Sequence, residues 1–115
     1  MGARIASHVA GSRSDVRGLV FLGYPLHRPG NPAALRDNHL YNLKQPMLFI
    51  SGTRDFLARR DLLQNVLTKL GAKAQVRWVE NADHSLRIKG ASAETQRRLH
   101  DELVEAIYDW ITKLA

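Results

Sequence analysis

Short apolar runs separated by polar stretches dominate the first two thirds of the chain. Residues 18–23 and residues 47–50 are continuously apolar and end at turn residues, which is typical of parallel strands buried on both faces. Residues 74–79 alternate only partly, which indicates a third strand nearer a sheet edge. The pattern therefore predicts three strands, with the strand that ends at Ser51 in the centre.

Between and after these runs, apolar residues recur at spacings of three and four. This spacing predicts an amphipathic helix over 56–70, ended by Gly71, and a long helix over 92–114 with Ser92 as its N-cap. Shorter helices are expected over 2–11 and, for one or two turns, over 33–40. The inward-facing positions are Leu62, Leu63, Val66, Leu67 and Leu70 in the first, and Leu99, Leu103, Ile107, Trp110, Ile111 and Leu114 in the second. Alternation of this kind predicts an α/β fold with a parallel sheet and right-handed crossovers.

Composition narrows the function classes. A chain of 115 residues forms one domain at most, and 44% apolar residues is ordinary for a globular protein. The sequence has no signal-peptide pattern, no apolar run long enough to cross a membrane and no cysteine, so we expect a cytoplasmic protein without disulfides or thiolate metal sites. The net charge is +6, but the 17 Lys and Arg residues are scattered. The basic-patch signature of nucleic-acid binding is therefore weak.

Two residues with catalytic chemistry follow predicted strands. Asp55 comes just past the carboxyl end of the central strand, and His84 lies in the loop after the third. In open α/β sheets the carboxyl ends of the strands are where sites are built. An acid followed by a histidine is the order of the last two members of a Ser-Asp-His triad. Two alternatives stay open: Asp55 could cap the helix that starts near Phe56, and Asp83 could be a turn residue or the acid.

Four segments together resemble the C-terminal half of an α/β-hydrolase, in the dienelactone-hydrolase-like branch. They are Met1-Gly2-Ala3-Arg4, Gly23-Tyr24-Pro25-Leu26-His27, Ser51-Gly52-Thr53-Arg54-Asp55 and Ala82-Asp83-His84-Ser85. The resemblance implies a three-layer, partial α/β-hydrolase fold over residues 1–115, beginning just after the serine of the nucleophile elbow. It makes Asp55 the triad acid, His84 the general base and then general acid, and the backbone amide of Met1 an oxyanion donor.

The loop over 24–32 leaves the carboxyl end of a strand and holds three prolines. It could line one wall of a substrate pocket, with Tyr24 and His27 as binding residues, or it could be a plain surface loop. No cofactor is expected, because the histidines lack the short spacings of metal sites. The other serines considered as nucleophiles, Ser7, Ser51 and Ser85, do not occupy a strand-to-helix elbow.

Three functions remain. The first is an incomplete ester or acyl hydrolase that keeps the acid and the histidine, lacks the serine and is inactive as the isolated chain. The second is an active hydrolase completed by upstream residues or by a partner chain. The third is a non-enzymatic interaction module on a hydrolase scaffold. In each case the edge beside residues 18–23 is expected to be open, so we expect a homo-oligomer or pairing with a missing N-terminal half. A small ester or acyl compound is the expected substrate of an active form.

Overall fold

The computed structural model describes residues 17–27 and 38–114. Three strands, β1 (Leu19–Leu22), β2 (Met47–Gly52) and β3 (Ala74–Val79), form one parallel sheet in the order β1-β2-β3. All six residues of β2 are buried, which explains why this run contains no polar side chain before Ser51. The prediction of a parallel α/β fold with a central second strand is confirmed.

Two α-helices cover opposite faces of the sheet. Helix α1 (Arg60–Leu70) connects β2 to β3, and helix α2 (Ala93–Thr112) follows β3. Short 3₁₀ turns span Asn38–Asn42 and Gly71–Lys73. The arrangement has three layers, helix, sheet and helix, as the sequence predicts. Within the described ranges, no helix combines the length and the apolar character that crossing a bilayer requires.

Each face of the sheet has its own apolar core. On the α1 face, Leu63 and Val66 pack with the rings of Phe21, Tyr24 and Phe49. These rings have centroids 4.8 to 5.8 Å apart, within the range of favourable aromatic pairs. On the α2 face, the cluster contains Leu48, Ile50, Val79, Ala82, Leu103 and Trp110. Alternate residues of β2 therefore supply the two cores, as the period of a strand requires.

The helix boundaries differ in part from the prediction. Helix α1 begins at Arg60 rather than at residue 56, because the preceding residues are held in another conformation by hydrogen bonds described below. Helix α2 begins as predicted, since the hydroxyl of Ser92 accepts a hydrogen bond from the backbone of Thr95 at 3.1 Å. The inward orientation predicted for Ile111 is wrong, as 51% of this residue is exposed.

Some predictions fall on residues outside the described ranges. These are the helix over 2–11, the first part of the turn over 33–40, and the oxyanion role of Met1.

Candidate active site

Asp55 and His84 meet at the carboxyl edge of the sheet, although 29 positions separate them in sequence. His84 Nδ1 lies 2.9 Å from Asp55 Oδ2. The Asp55 side chain is fully buried, whereas 34% of the His84 side chain is exposed. A buried carboxylate is stabilised only when it is paired or hydrogen-bonded. The contact with the imidazole supplies such a partner, and the exposed side of the ring is left open to solvent.

The second oxygen of Asp55 is also engaged. Oδ1 accepts a hydrogen bond from the backbone N–H of Leu57 at 2.8 Å. The carboxylate is therefore held at both oxygens, which fixes its rotation. The alternative in which Asp55 caps the following helix is wrong, because the N-cap position is Arg59, whose side chain makes no capping hydrogen bond.

The contact with Asp55 determines which nitrogen of His84 carries the proton. A carboxylate only accepts hydrogen bonds, so His84 Nδ1 must carry a proton in this contact. In the neutral ring the other nitrogen, Nε2, then carries the lone pair. Nε2 has no hydrogen-bond partner in residues 17–27 and 38–114. The arrangement can accept a proton at Nε2 and stabilise the resulting cation through Asp55.

Hydrogen bonds hold the loop that carries His84 against the end of β2. The backbone N–H of Arg54 donates to the carbonyl of Ala82 at 2.9 Å, and the N–H of Asn81 donates to the Thr53 hydroxyl at 2.8 Å. Within the loop, Asp83 Oδ1 accepts from the N–H groups of Ser85 and Arg87 at 2.9 and 3.0 Å. Asp83 is therefore the turn residue, and Asp55 is the acid that contacts His84.

Two glycines allow this loop to approach the strands. A Cβ at Gly52 would collide with the carbonyl oxygens of Ala82 and Asp83, and a Cβ at Gly23 would collide with the carbonyl oxygen of His84. Gly23 also has a φ of +66°, a conformation that few L residues adopt. Sequence reasoning did not identify these roles. The one signal available was that both glycines end apolar runs, which marked them only as turn residues.

Tyr24 and His27, predicted to bind substrate, lie in the protein interior. Tyr24 is 1% exposed and packs edge-on against Phe21 and Phe49. His27 is 2% exposed, and its Nε2 accepts a hydrogen bond from the backbone N–H of Arg59 at 3.2 Å. The backbone N–H of His27 donates to the carbonyl of Leu57 at 2.9 Å. His27 thereby fastens the loop after β1 to the segment that carries Asp55, and a substrate contact for either residue stays a prediction.

The serines within the described ranges differ from a triad nucleophile in their surroundings. Ser51 is 1% exposed, and its hydroxyl is buried without a hydrogen-bond partner among the described residues. Ser85 is exposed in the His84 turn, where its backbone is bonded to Asp83. Ser7 lies outside the described residues. The same ranges contain no group of three His, Cys, Asp or Glu side chains that could hold a metal ion.

Replacing Ser51 by Ala is expected to stabilise the protein. A buried hydroxyl without a partner costs about 1–3 kcal/mol in lost hydration, and the alanine methyl group fits the space that the serine occupies. Urea unfolding followed by circular dichroism measures the change. Ser92→Ala is the control, because it removes a helix cap and is expected to lower the free energy of unfolding by about 1 kcal/mol. A stability loss for Ser51→Ala as large as that for Ser92→Ala would show that the Ser51 hydroxyl has a partner.

Beside His84, a groove of about 870 Å³ runs between the end of β1, the His84 loop and α2. Its apolar lining includes Leu22, Leu86, Ile88, Leu99, Leu103 and Ile107. The exposed part of the histidine ring lies at this groove. The site is thus a buried acid, a half-buried histidine and an open apolar surface next to them.

Comparison with known proteins agrees with the fold described above. A family model described as an alpha/beta hydrolase domain matches residues 1–112. Among solved structures, an alpha-beta serine hydrolase homologue from Coxiella burnetii superimposes with a TM-score of 0.57 at 19% sequence identity. The alignment covers 99% of this chain and 45% of the solved chain. The present chain therefore spans less than half of that structure, and the likeness to it concerns the fold alone.

Proposed function

The chain belongs to the α/β-hydrolase family, and we propose on this basis that Asp55 and His84 are the acid and base of a serine-type ester or acyl hydrolase. The observation that carries the proposal is the 2.9 Å contact between His84 Nδ1 and Asp55 Oδ2. It orients the ring with Nε2 outward, which is the orientation a general base needs.

In the proposed reaction, His84 Nε2 removes the proton from a nucleophilic hydroxyl as that oxygen attacks the carbonyl carbon of the substrate. Asp55 stabilises the imidazolium that forms and keeps the proton on Nδ1. The proton on Nε2 then passes to the leaving group. The 115-residue sequence contains no Gly-x-Ser-x-Gly segment, so we assign the nucleophile to a polypeptide segment beyond these 115 residues. The isolated chain is accordingly expected to be inactive.

A polypeptide segment beyond these 115 residues would also complete the sheet. Among the described strands, β1 pairs only with β2, which leaves one side of β1 available for another strand. We assign this edge to the remaining half of a hydrolase domain, with a second copy of the chain as the alternative. The segment from Gly23 to His27 supports placement in the dienelactone-hydrolase-like branch, and a small ester or acyl compound is the corresponding substrate class.

The test uses DNA upstream of the Met1 codon. The extended in-frame polypeptide is expressed beside the 115-residue chain, and both are treated with a fluorophosphonate and mapped by mass spectrometry. We expect no stoichiometric adduct on the shorter chain and one adduct on an upstream Gly-x-Ser serine in the longer one. His84→Ala should slow that labelling by about 10⁴-fold or more.

The control is the heat-denatured extended polypeptide, which should take no label because the site is then disassembled. An adduct on Ser51 or Ser85 of the 115-residue chain would contradict the proposal. So would labelling that survives His84→Ala, or upstream DNA that encodes no Gly-x-Ser turn.

A non-enzymatic interaction module is the second candidate. The observation that favours it is the exposure of large apolar side chains beside the site, with Leu22 55% and Val104 52% exposed. Fluorophosphonate labelling separates the two functions, because an interaction module would leave every serine of the extended polypeptide unlabelled.

A further inference from the structure

The turn that carries His84 ends in a residue with a strained backbone. The N–H of Leu86 donates to the carbonyl of Asp83 at 3.0 Å, and this bond closes a turn in which His84 holds the second position. Leu86 has a φ of +61°, in the left-handed region that few residues other than glycine adopt. Its side chain packs against the core on the α2 face. The place of His84 therefore depends on a turn whose last residue must be held in an unfavourable conformation.

The side chain of Gln96, in the first part of α2, bonds to the backbone of this strained segment. Its Nε2 donates to the carbonyl of Leu86 at 2.9 Å, and its Oε1 accepts from the N–H of Ile88 at 3.1 Å. Because a carbonyl only accepts and a backbone N–H only donates, the two partners fix the orientation of the amide. Gln96 thus supplies from outside the turn the kind of restraint under which a strained conformation persists.

Helix α2 gives Gln96 a fixed position. The Ser92 hydroxyl caps the helix by accepting from the N–H of Thr95, and the Ser92 carbonyl accepts from the N–H of Gln96 at 3.0 Å. Two turns further along, Leu103 is buried in the core on the α2 face. A side chain that projects from an anchored helix places its partner more precisely than one carried on a loop.

We propose that Gln96 is a positioning residue for His84, because its amide holds the strained end of the turn in place. The imidazole then keeps the orientation in which Nδ1 contacts Asp55. Both polar atoms of the amide bond to the backbone, so Gln96 acts through the turn and not by touching a substrate. Its effect on the ring is a property of the isolated chain, whereas its effect on a reaction rate rests on the proposed function.

Gln96→Met tests the positioning in the 115-residue chain by NMR. Methionine keeps the length and the helix propensity of the side chain and removes both hydrogen bonds. We expect the N–H of Ile88 to exchange with solvent at least about tenfold faster, and the Nδ1 proton resonance of His84 to shift or disappear. Gln64→Met is the matched control, since Gln64 is an exposed glutamine of α1, and it should leave both signals unchanged.

Ser92→Ala separates positioning from stability. It destabilises the protein by removing a helix cap but leaves the amide of Gln96 in place. The Nδ1 resonance of His84 should therefore be unchanged in Ser92→Ala and altered in Gln96→Met. A merely structural contribution of Gln96 would alter the resonance in both variants, in proportion to the stability that each loses in urea.

In the extended polypeptide, the measurement is the rate of fluorophosphonate labelling as a function of probe concentration. We expect Gln96→Met to lower the limiting rate about 10- to 100-fold, because a small displacement of a catalytic group has an effect of this size. The probe concentration at half the limiting rate should stay the same, since the amide does not contact the ligand. Gln64→Met should match the wild type in both quantities.

Three outcomes would overturn the proposal. The first is an unchanged His84 resonance in Gln96→Met, whatever the extended polypeptide does. The second is an equal change of that resonance in Ser92→Ala. The third is an unchanged limiting rate with a higher half-saturating concentration, which would make Gln96 a binding residue. A wild-type extended polypeptide that takes no label would contradict the proposed function alone, and the NMR comparison would still decide the role of Gln96.

Discussion

Replacing Asp55 by Asn is expected to reverse the tautomer of His84. In the wild-type chain the backbone N–H of Leu57 donates to Asp55 Oδ1, and Oδ2 accepts from His84 Nδ1. An asparagine must still present its oxygen to Leu57, so its amide nitrogen would face the imidazole. Because that nitrogen only donates, His84 Nδ1 would have to accept and the ring proton would move to Nε2.

The two tautomers have different nitrogen shifts in long-range proton–nitrogen NMR spectra, recorded at a pH where the imidazole is neutral. We expect the Nδ1–H form in the wild type and the Nε2–H form in Asp55→Asn. Asp61→Asn is the matched control, since Asp61 is an exposed carboxylate that pairs with Arg59. In the extended polypeptide of the proposed function, the reversal should lower kcat by about 10⁴-fold. An Nε2–H form in the wild type would contradict the hydrogen-bonding scheme.

Replacing Gly52 by Ala is expected to destabilise the fold and to separate the acid from the base. The new Cβ would collide with the carbonyl oxygen of Ala82 and would lie 2.6 Å from that of Asp83. The loop cannot yield freely, because the N–H groups of Thr53 and Arg54 bond to Val79 and Ala82. Overpacking of this kind lowers the free energy of unfolding by about 1–3 kcal/mol. Because the new methyl group meets fixed backbone, we expect a loss of about 3 kcal/mol for Gly52→Ala.

Gly71→Ala separates crowding from backbone strain. Gly71 has a φ of +75°, a ψ of −150° and no atoms within 4 Å of the position of its Cβ, so alanine there adds backbone strain of about 1–3 kcal/mol without a collision. Urea unfolding should show a loss in both variants, and the state of the site distinguishes them. The Nδ1 proton resonance of His84 should shift or disappear only in Gly52→Ala. An unchanged Nδ1 resonance in Gly52→Ala would mean that the loop yields without separating Asp55 from His84.

The sequence was sufficient to predict the sheet, because β2 is buried on both faces and its apolar run is unbroken. The predicted acid and histidine lie in contact for a similar reason, since parallel strands bring their carboxyl ends to one edge. The start of α1 was not predictable from periodicity. His27 bonds to Leu57 and Arg59, which are distant from it in sequence, and these two hydrogen bonds hold the segment before the helix in another conformation.

The roles of Gly23 and Gly52 also could not be predicted from the sequence. They depend on the distance between a strand end and a loop that is contiguous only in the folded state. Periodicity likewise failed at Ile111, which has helical spacing but projects from the far side of α2 and is exposed. Spacing along one helix does not reveal how much of that helix its neighbours cover.

The attachment of the His84 loop to the end of β2 makes assembly of the site a cooperative event. The backbone N–H groups of Thr53 and Arg54 donate hydrogen bonds to the carbonyls of Val79 and Ala82, and the Thr53 hydroxyl accepts one from the N–H of Asn81. The loop therefore cannot open locally without breaking bonds to the strand that also positions Asp55. A fluctuation that exposes the histidine turn to a protease or to solvent exchange would dismantle the acid–base pair at the same moment. Resistance of this loop to cleavage would thus report the intact pair without any substrate.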